Sequence, residues 1–315
     1  MKNRISARAG IKPALAFLLA LLIIFPAGCQ SKNPEVTLAL LGDLVLGRRV
    51  HPAPGSLAYI LPDLAAADLA LANLESPLSP VLPSSNSTYS LCALSDLASL
   101  LFKWGLDLVS LSNNHAFDCG SDGPAWTRAA LETAGVTPIG PGMEPVFREI
   151  KGLRLAFLAF DDISTPLDEN AALQAIHSAR LRGALVVVSI HWGAEYKGGA
   201  SERQESLAQD FASAGAVLIW GHHPHVIQPA RWIQIPGDLG ADARSSLVLY
   251  SVGNALFDQG GLDETRQSAL VVVTLDANGV TNIRVKPFEI NVIESRIMQP
   301  AAGMGEKILH RLSLP

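Results

Sequence analysis

The sequence predicts an α/β fold with a mixed sheet system and a β-rich C-terminal part. Three observations predict it. Apolar runs of strand length alternate with segments of helical spacing from Val36 to about His225. Polar residues collect where the apolar runs end, as they do at the ligand-binding edge of α/β sheets. The last third returns to strand patterns, and Asn278-Gly279 marks a hairpin between two of them.

The first segment lies outside this pattern. Lys2, Arg4, Arg8 and Lys12 precede a twelve-residue apolar run, Ala14 to Phe25. That length is short for a membrane span and suits a secretory leader. Small residues then lead to Cys29. The stretch resembles a bacterial lipoprotein signal over residues 1–28, although Pro26 stands where leucine is usual. The resemblance implies lipid on Cys29, export, and anchoring to the outer face of the cell membrane. An ordinary secretory signal and an uncleaved anchor are the alternatives. Residues 29–35 read as a tether.

The elements follow in order. "VTLALLGD" is a strand entering a loop at Asp43, and "DLALANLES" is a second strand ending at Glu75. "LSDLASLLFKWG" has helical spacing and a terminal glycine. "LDLVSLSNNH" is a buried strand ending in amides and His115. "PAWTRAALETAG" is a helix with Pro124 in its first turn. "RLAFLAF" is a strand, "NAALQAIHSARLRG" a helix, "ALVVVSIHWG" a strand ending at His191, and "RQESLAQDFASAG" a helix. "AVLIWGHHPH" is a strand ending in histidines. "SLVLYSVGN" and "ALVVVTLDANGVTNIRVKPFEI" supply the C-terminal strands, and a helix follows. Residues 36–260 form the principal domain, which 261–315 complete. The polar stretch 76–90 is a candidate rim or lid.

Composition narrows the function. The chain carries 24 Lys+Arg against 29 Asp+Glu; without the four leader cations the net charge is −9. Such a surface does not attract nucleic acid. An anionic substrate therefore needs local positive charge, and bound metal is the simplest source. Beyond Cys29 only Cys92 and Cys119 remain. A disulfide and two buried free thiols are both open, whereas the absence of C-x-x-C argues against thiol-redox chemistry and structural zinc.

Five strand ends deliver one kind of residue: Asp43, Glu75, Asn114 with His115, His191, and the cluster His222, His223, His225. Each has a plain structural reading alone: turn residue, solvated charge, Asx-turn or core histidine. Together they are carboxylates, an amide oxygen and imidazoles, the donor set of Mn, Fe or Zn. They exceed the needs of one tetrahedral ion, so two divalent ions bridged by a shared carboxylate or water are expected.

The motifs "GDLVLGR", "ANLESPLS", "VSLSNNHAFDCG", "SIHWGAEY", "IWGHHPHVIQP" and "YSVGNALFD" resemble, in this order, the CapA-type poly-γ-glutamate capsule biosynthesis proteins, which are similar to calcineurin-like metallophosphatases. The resemblance implies a four-layer α/β/β/α sandwich of metallophosphatase type. It implies metal ligands at Asp43, Glu75, Asn114, His191, His223 and His225, with Glu75 bridging the ions. His115 is the implied general acid, and Asn114 belongs to the catalytic pair with it. His222 is a ligand in place of His223 or a supporting residue. Glu195, Asp118, Arg48 and Asn254 are expected to orient ligands or face substrate. Arg203 and Arg231 are further candidates for holding a substrate anion, although a solvated surface role is the simpler reading of each. The superfamily's Asp-x-His is absent, since Leu44 and Val45 follow Asp43; Glu replaces the bridging Asp, and "NNH" replaces "GNH".

The resulting expectation is an exported protein acting in synthesis, attachment or processing of a cell-surface polymer, poly-γ-glutamate by resemblance. Its metal site would activate water for phosphoester or amide-like hydrolysis. The alternatives are a non-enzymatic polymer-binding or assembly factor of a membrane synthase, and an extracellular phosphodiesterase unrelated to capsule. The expected partners are an anionic polymer or phosphoester, the membrane through Cys29, and membrane synthase components.

Overall fold

The computed structural model describes residues 33–83, 89–236 and 244–314. The leader, Cys29 and most of the tether lie outside them, as does the middle of the 76–90 loop. In chain order the strands are β1 (Val36–Leu44), β2 (Leu69–Leu74), β3 (Leu78–Ser79), β4 (Ala93–Leu94), β5 (Leu108–Ser110), β6 (Thr137–Ile139), β7 (Val146–Ile150), β8 (Leu153–Asp161), β9 (Leu185–His191) and β10 (Ala216–His222). They continue as β11 (Ile227–Ile235), β12 (Arg244–Val252), β13 (Asn254–Leu256), β14 (Gln267–Asp276), β15 (Gly279–Asn291) and β16 (Arg296–Met298). The helices are α1 (Leu61–Ala66), α2 (Ala98–Lys103), α3 (Gly123–Ala134), α4 (Glu169–Leu181), α5 (Glu202–Ala214) and α6 (Met304–Leu312).

Two sheets result. One has the order β16-β15-β14-β1-β2-β5-β6, with β13 also paired to β1. The other has the order β11-β12-β10-β9-β8-β7. Strand periodicity sorts the side chains into layers. Leu38 and Leu40 of β1 pack between the sheets with Leu71, Phe157, Val187, Trp220 and Leu249. Their neighbours Ala39 and Leu41 face the other way, into a core with Leu64, Leu101 and Leu131 of α1, α2 and α3. On the second sheet Val186 and Val188 pack with Ile176 of α4 and Phe211 of α5. Helices, sheet, sheet and helices stack in turn, which is the four-layer α/β/β/α sandwich expected. Both faces of each sheet are covered, so the central strands read as continuous apolar runs. Ile308 and Leu312 of α6 enter the core between the sheets.

Local chemistry sets the helix ends. Ser201 and Gln204 form a capping box at the start of α5, and the Asp168 carboxylate accepts from the Ala171 N–H at the start of α4. Gly135 closes α3 in the left-handed conformation. The helix expected over 94–105 is a 3-10 turn at Ser95–Leu97 running into α2. The hairpin turn sits at Ala277-Asn278, one residue earlier than Asn278-Gly279, because the Asp276 Oδ1 accepts from the Asn278 N–H at 2.7 Å and Asp276 pairs with Gly279. Cys92 and Cys119 form a disulfide with their Cα atoms 5.1 Å apart.

Strands β1, β2 and β5 are mutually parallel, and so are β9 and β10. Their C-terminal ends, with the polar residues that follow them, therefore gather at one edge of each sheet. Strand β13 reaches the same edge and sets Asn254 opposite Asp43. A Cβ at Gly42 would lie 1.7 Å from the Gly253 carbonyl oxygen, so only glycine lets β13 approach there.

Candidate metal centre

Asp43, Glu75, His191, His222, His223 and His225 are all buried at this edge. Asp43 accepts from Asn73 Nδ2 at 2.8 Å and from the His223 backbone N–H at 3.2 Å. His225 Nδ1 lies 3.1 Å from its Oδ2. Burial by itself raises the Asp43 pKa, but His222 and His225 outweigh it and hold the carboxyl well below its usual range. Glu75 behaves oppositely. Burial, then the neighbouring Asp43 charge, pushes it well above the usual carboxylate range.

Neither carboxylate oxygen of Glu75 meets a hydrogen-bond donor. Its Oε1 instead faces His191 Nε2 at 3.7 Å, His225 Nε2 at 3.8 Å and His115 Nε2 at 4.0 Å. These spacings are too long for hydrogen bonds. They suit donors around shared ions, because ligands about 2 Å from one ion stand roughly 3–4 Å apart. Two groups of donor atoms, each within 4.8 Å of one another, share Glu75: Asp43, Glu75 and His225, and Glu75, His191 and His223. Asn114 joins the second, with its Oδ1 2.9 Å from His191 Nε2. A buried carboxylate without donors, amid imidazoles, fits divalent cations.

The amide network sets the imidazole tautomers. Asn254 Nδ2 donates to the Thr265 carbonyl at 2.9 Å, which turns its Oδ1 to His225 Nδ1 at 3.0 Å. Nδ1 of His225 is then a donor, and Nε2 is the atom turned toward Glu75. Burial opposes protonation of His225, but Glu75 and Asp43 outweigh it and raise the ring to about 9. Burial, then His225, lowers His223 to about 4, and burial holds His191 well below the usual range. His223 and His225 adopt left-handed backbone, with φ of 93° and 58°. Such conformations are strained for non-glycine residues and mark a turn built to aim its side chains.

His115 is part-buried, and its Nδ1 lies 2.8 Å from Asp118 Oδ2, which also accepts from the Leu91 N–H at 2.7 Å. Asp118 therefore orients His115. His222 lies outside the three-donor groups, with its ring edge-on to Trp220 and Nδ1 3.5 Å from Asp43 Oδ1. Glu195 is exposed beside His223 and His225. A cavity of about 440 Å³ opens over the centre, lined by Arg48, Arg49, Tyr89, His115, Glu195, Tyr196 and His225 among others. Arg48 is tied to Asp258 and lies over the Phe257 ring, and Arg49 shares that carboxylate at 3.0 Å. Arg203 pairs with Asp162 and Glu169, and Arg231 with Glu205; neither lines the cavity.

Sequence reasoning missed Arg49 and Tyr196 at the cavity and two buried amides. Asn73 links Asp43 to Asn113, and Asn113 Nδ2 in turn donates to Asn73 Oδ1 at 3.2 Å and to the Leu74 carbonyl at 2.9 Å. The signal was present in "NLES" and "SNNH", where each overlooked amide lies beside a chosen residue.

Known proteins share this chain's sequence pattern and fold. The chain is 27% identical over 314 residues to the PGA biosynthesis protein CapA of Bacillus subtilis (strain 168), spanning 88% of this chain and 80% of that protein. It is 30% identical over 295 residues to the capsule biosynthesis protein CapA of Bacillus anthracis, spanning 82% of this chain and 68% of that one. Among solved structures, a hypothetical protein from Thermus thermophilus shares the fold with a TM-score of 0.52 at 20% identity, over 80% of this chain and 99% of that one. The sequence profile of the bacterial capsule synthesis family PGA_cap matches residues 37–259, the stretch that supplies both sheets' site edges. The chain belongs to that family.

Proposed function

We propose that this chain is an exported, lipid-anchored protein acting in synthesis, attachment or processing of a poly-γ-glutamate capsule, through a dinuclear metal centre that hydrolyses a phosphoester or amide-like bond. The observation that carries the reading is the buried Glu75 carboxylate, free of hydrogen bonds and shared by two donor groups. Family membership supports the capsule context, and the names of the two Bacillus relatives support the polymer. The cationic, apolar leader ending at Cys29 supports export and an anchor on the outer face of the cell membrane. Among the described residues no helix is long and apolar enough to cross a membrane.

Asp43, Glu75 and His225 would hold one ion, and Glu75, Asn114, His191 and His223 the other, with Mn, Fe or Zn the metals that suit these donors. When bound, the ions supply Lewis acidity toward the scissile group and the attacking water. His115 handles the proton. Its Nδ1 is committed to Asp118, so Nε2 is the atom that takes up a proton and delivers it to the leaving group. Asn254 keeps His225 Nε2 turned toward Glu75. Arg49, exposed at the cavity mouth, offers charge to an anionic polymer. One observation favours the non-enzymatic assembly role instead: the Asp43 group has three donors and the other has four.

The test is metal content and turnover of an aryl phosphodiester and a γ-glutamyl amide, in wild type, His115→Ala and Asn114→Ala. About two ions per chain are expected in wild type. Turnover should fall by roughly 10²-fold or more in both variants. Full residual activity in both, or no metal after reconstitution with Mn, Fe or Zn, overturns the enzymatic reading in favour of polymer assembly.

A further inference from the structure

The two donor groups that share Glu75 are unequal. Asn114 brings the His191 group to four donors, whereas the Asp43 group has three. Protein sites for transition metals ordinarily supply at least three donors, and structural ones four. Beside Asp43 lies the buried His222, with Nδ1 3.5 Å from Asp43 Oδ1, but the position superfamily members fill with a histidine is Val45 here. Val45 is fully buried in the core between the larger sheet and its helices, and its N–H is bonded to the Leu256 carbonyl at 2.8 Å. A donor that substrate can reach must come from the open side, where the cavity lies.

Glu195 stands there. One carboxylate oxygen of Glu195 and one ring nitrogen each of His223 and His225 lie within 4.8 Å of one another. The loop after β9 holds it in position. The Tyr196 N–H donates to the Pro224 carbonyl at 2.8 Å, tying the Glu195 turn to the histidine turn. Tyr196 adopts left-handed backbone at φ 61°, and its hydroxyl accepts from Gln259 Nε2 at 3.2 Å. Three strained residues, Tyr196, His223 and His225, thus face one another across this contact. A second observation points to a ligand. His223 is 7% exposed, and its Nδ1 has no hydrogen-bond partner.

We infer that the Glu195 carboxylate joins the shell of the ion held by Asp43, Glu75 and His225, supplying a donor from the cavity side. The inference rests on the dinuclear reading above. An exposed fourth ligand leaves that ion the more accessible of the two, and a substrate entering the cavity meets it first.

The experiment is Zn(II) and Mn(II) titration by calorimetry, with metal content by plasma mass spectrometry, on the full chain in mild detergent. Wild type is compared with Glu195→Gln, Glu195→Ala and Glu195→His. Circular dichroism in chelator checks folding, which an exposed position should not disturb. The expected result is two ions in wild type, with the affinity for one of them weakened roughly 10- to 100-fold in the Gln and Ala variants and the other unchanged. Glu195→His should keep both. Wild-type affinity for both ions in Glu195→Gln and Glu195→Ala overturns the inference and leaves the dinuclear reading standing. Loss of both ions together overturns the assignment to a single ion. Absence of metal in wild type overturns the dinuclear reading itself.

Discussion

Glu75 is wholly buried and its oxygens meet no donor, so in the metal-free chain it opposes folding. Replacing it with Gln removes the charge at similar volume. Glu75→Gln should therefore melt at the same temperature as wild type or higher in chelator, while losing the rise in Tm that added Zn(II) or Mn(II) produces in wild type. Lower stability in chelator would mean that the carboxylate is satisfied by a group within the fold. Asp258 shows the opposite sign. Burial raises its pKa, but Arg48 and Arg49 outweigh that and hold it below the usual range. Its stabilisation is then present above the unfolded value near 4 and is lost as pH falls through the depressed folded value. Asp258→Asn should be destabilised at neutral pH by about 1–3 kcal/mol, with the gap to wild type closing below about pH 4. A constant gap in denaturant titrations across that range would refute this. The metal-ligand candidates were legible because each follows an apolar run. The Arg48–Asp258 pair was not, since 210 residues separate the partners.

At the scale of elements, the disulfide joins the segment before β4 to the turn that carries His115. The Cys92–Cys119 bridge spans 27 residues, which corresponds to about 3–4 kcal/mol of loop-closure entropy. The Leu91 N–H bonded to Asp118 and the Ser90 hydroxyl facing the Asp118 carbonyl lie beside it. A Cys92→Ser/Cys119→Ser variant should unfold at lower denaturant, with a loss of that size. It should also show faster hydrogen exchange at residues 113–119. An unchanged midpoint would mean that packing alone holds the turn. Long, strongly patterned elements such as β1, β9, β10, α4 and α5 were readable from apolar runs and caps. The strands β6, β7 and β11 were not. The first two are short, and β7 is mostly half-exposed, so neither carries a burial pattern; β11 holds Pro229 within an irregular one.

For the whole molecule, the C-terminal strands are internal to the architecture. β14 pairs with β1 in the larger sheet, and Val271, Val273 and Leu275 enter the core between the sheets. A chain ending at residue 260 should fail to fold, because β1 would become an edge and the core would lose those side chains. A chain beginning at Asn33 should unfold in one cooperative transition seen alike by tryptophan fluorescence and circular dichroism. A folded 1–260 fragment would show that the last strands are dispensable.

Local periodicity and residue chemistry were enough to establish the fold class, the apolar strands, and the kinds of side chain that end them. They also established that Val45 could not be a ligand, since the residue type forbids it. The remaining features arise only when the chain is folded. Folding made Glu75 common to two donor groups, tied Arg48 to Asp258, joined Cys92 to Cys119, turned His225 Nε2 inward through Asn254, and brought Glu195 beside His223 and His225. Each of these joins residues distant in the chain, and only the pairing of strands within the sheets and the packing of the sheets together set such distances.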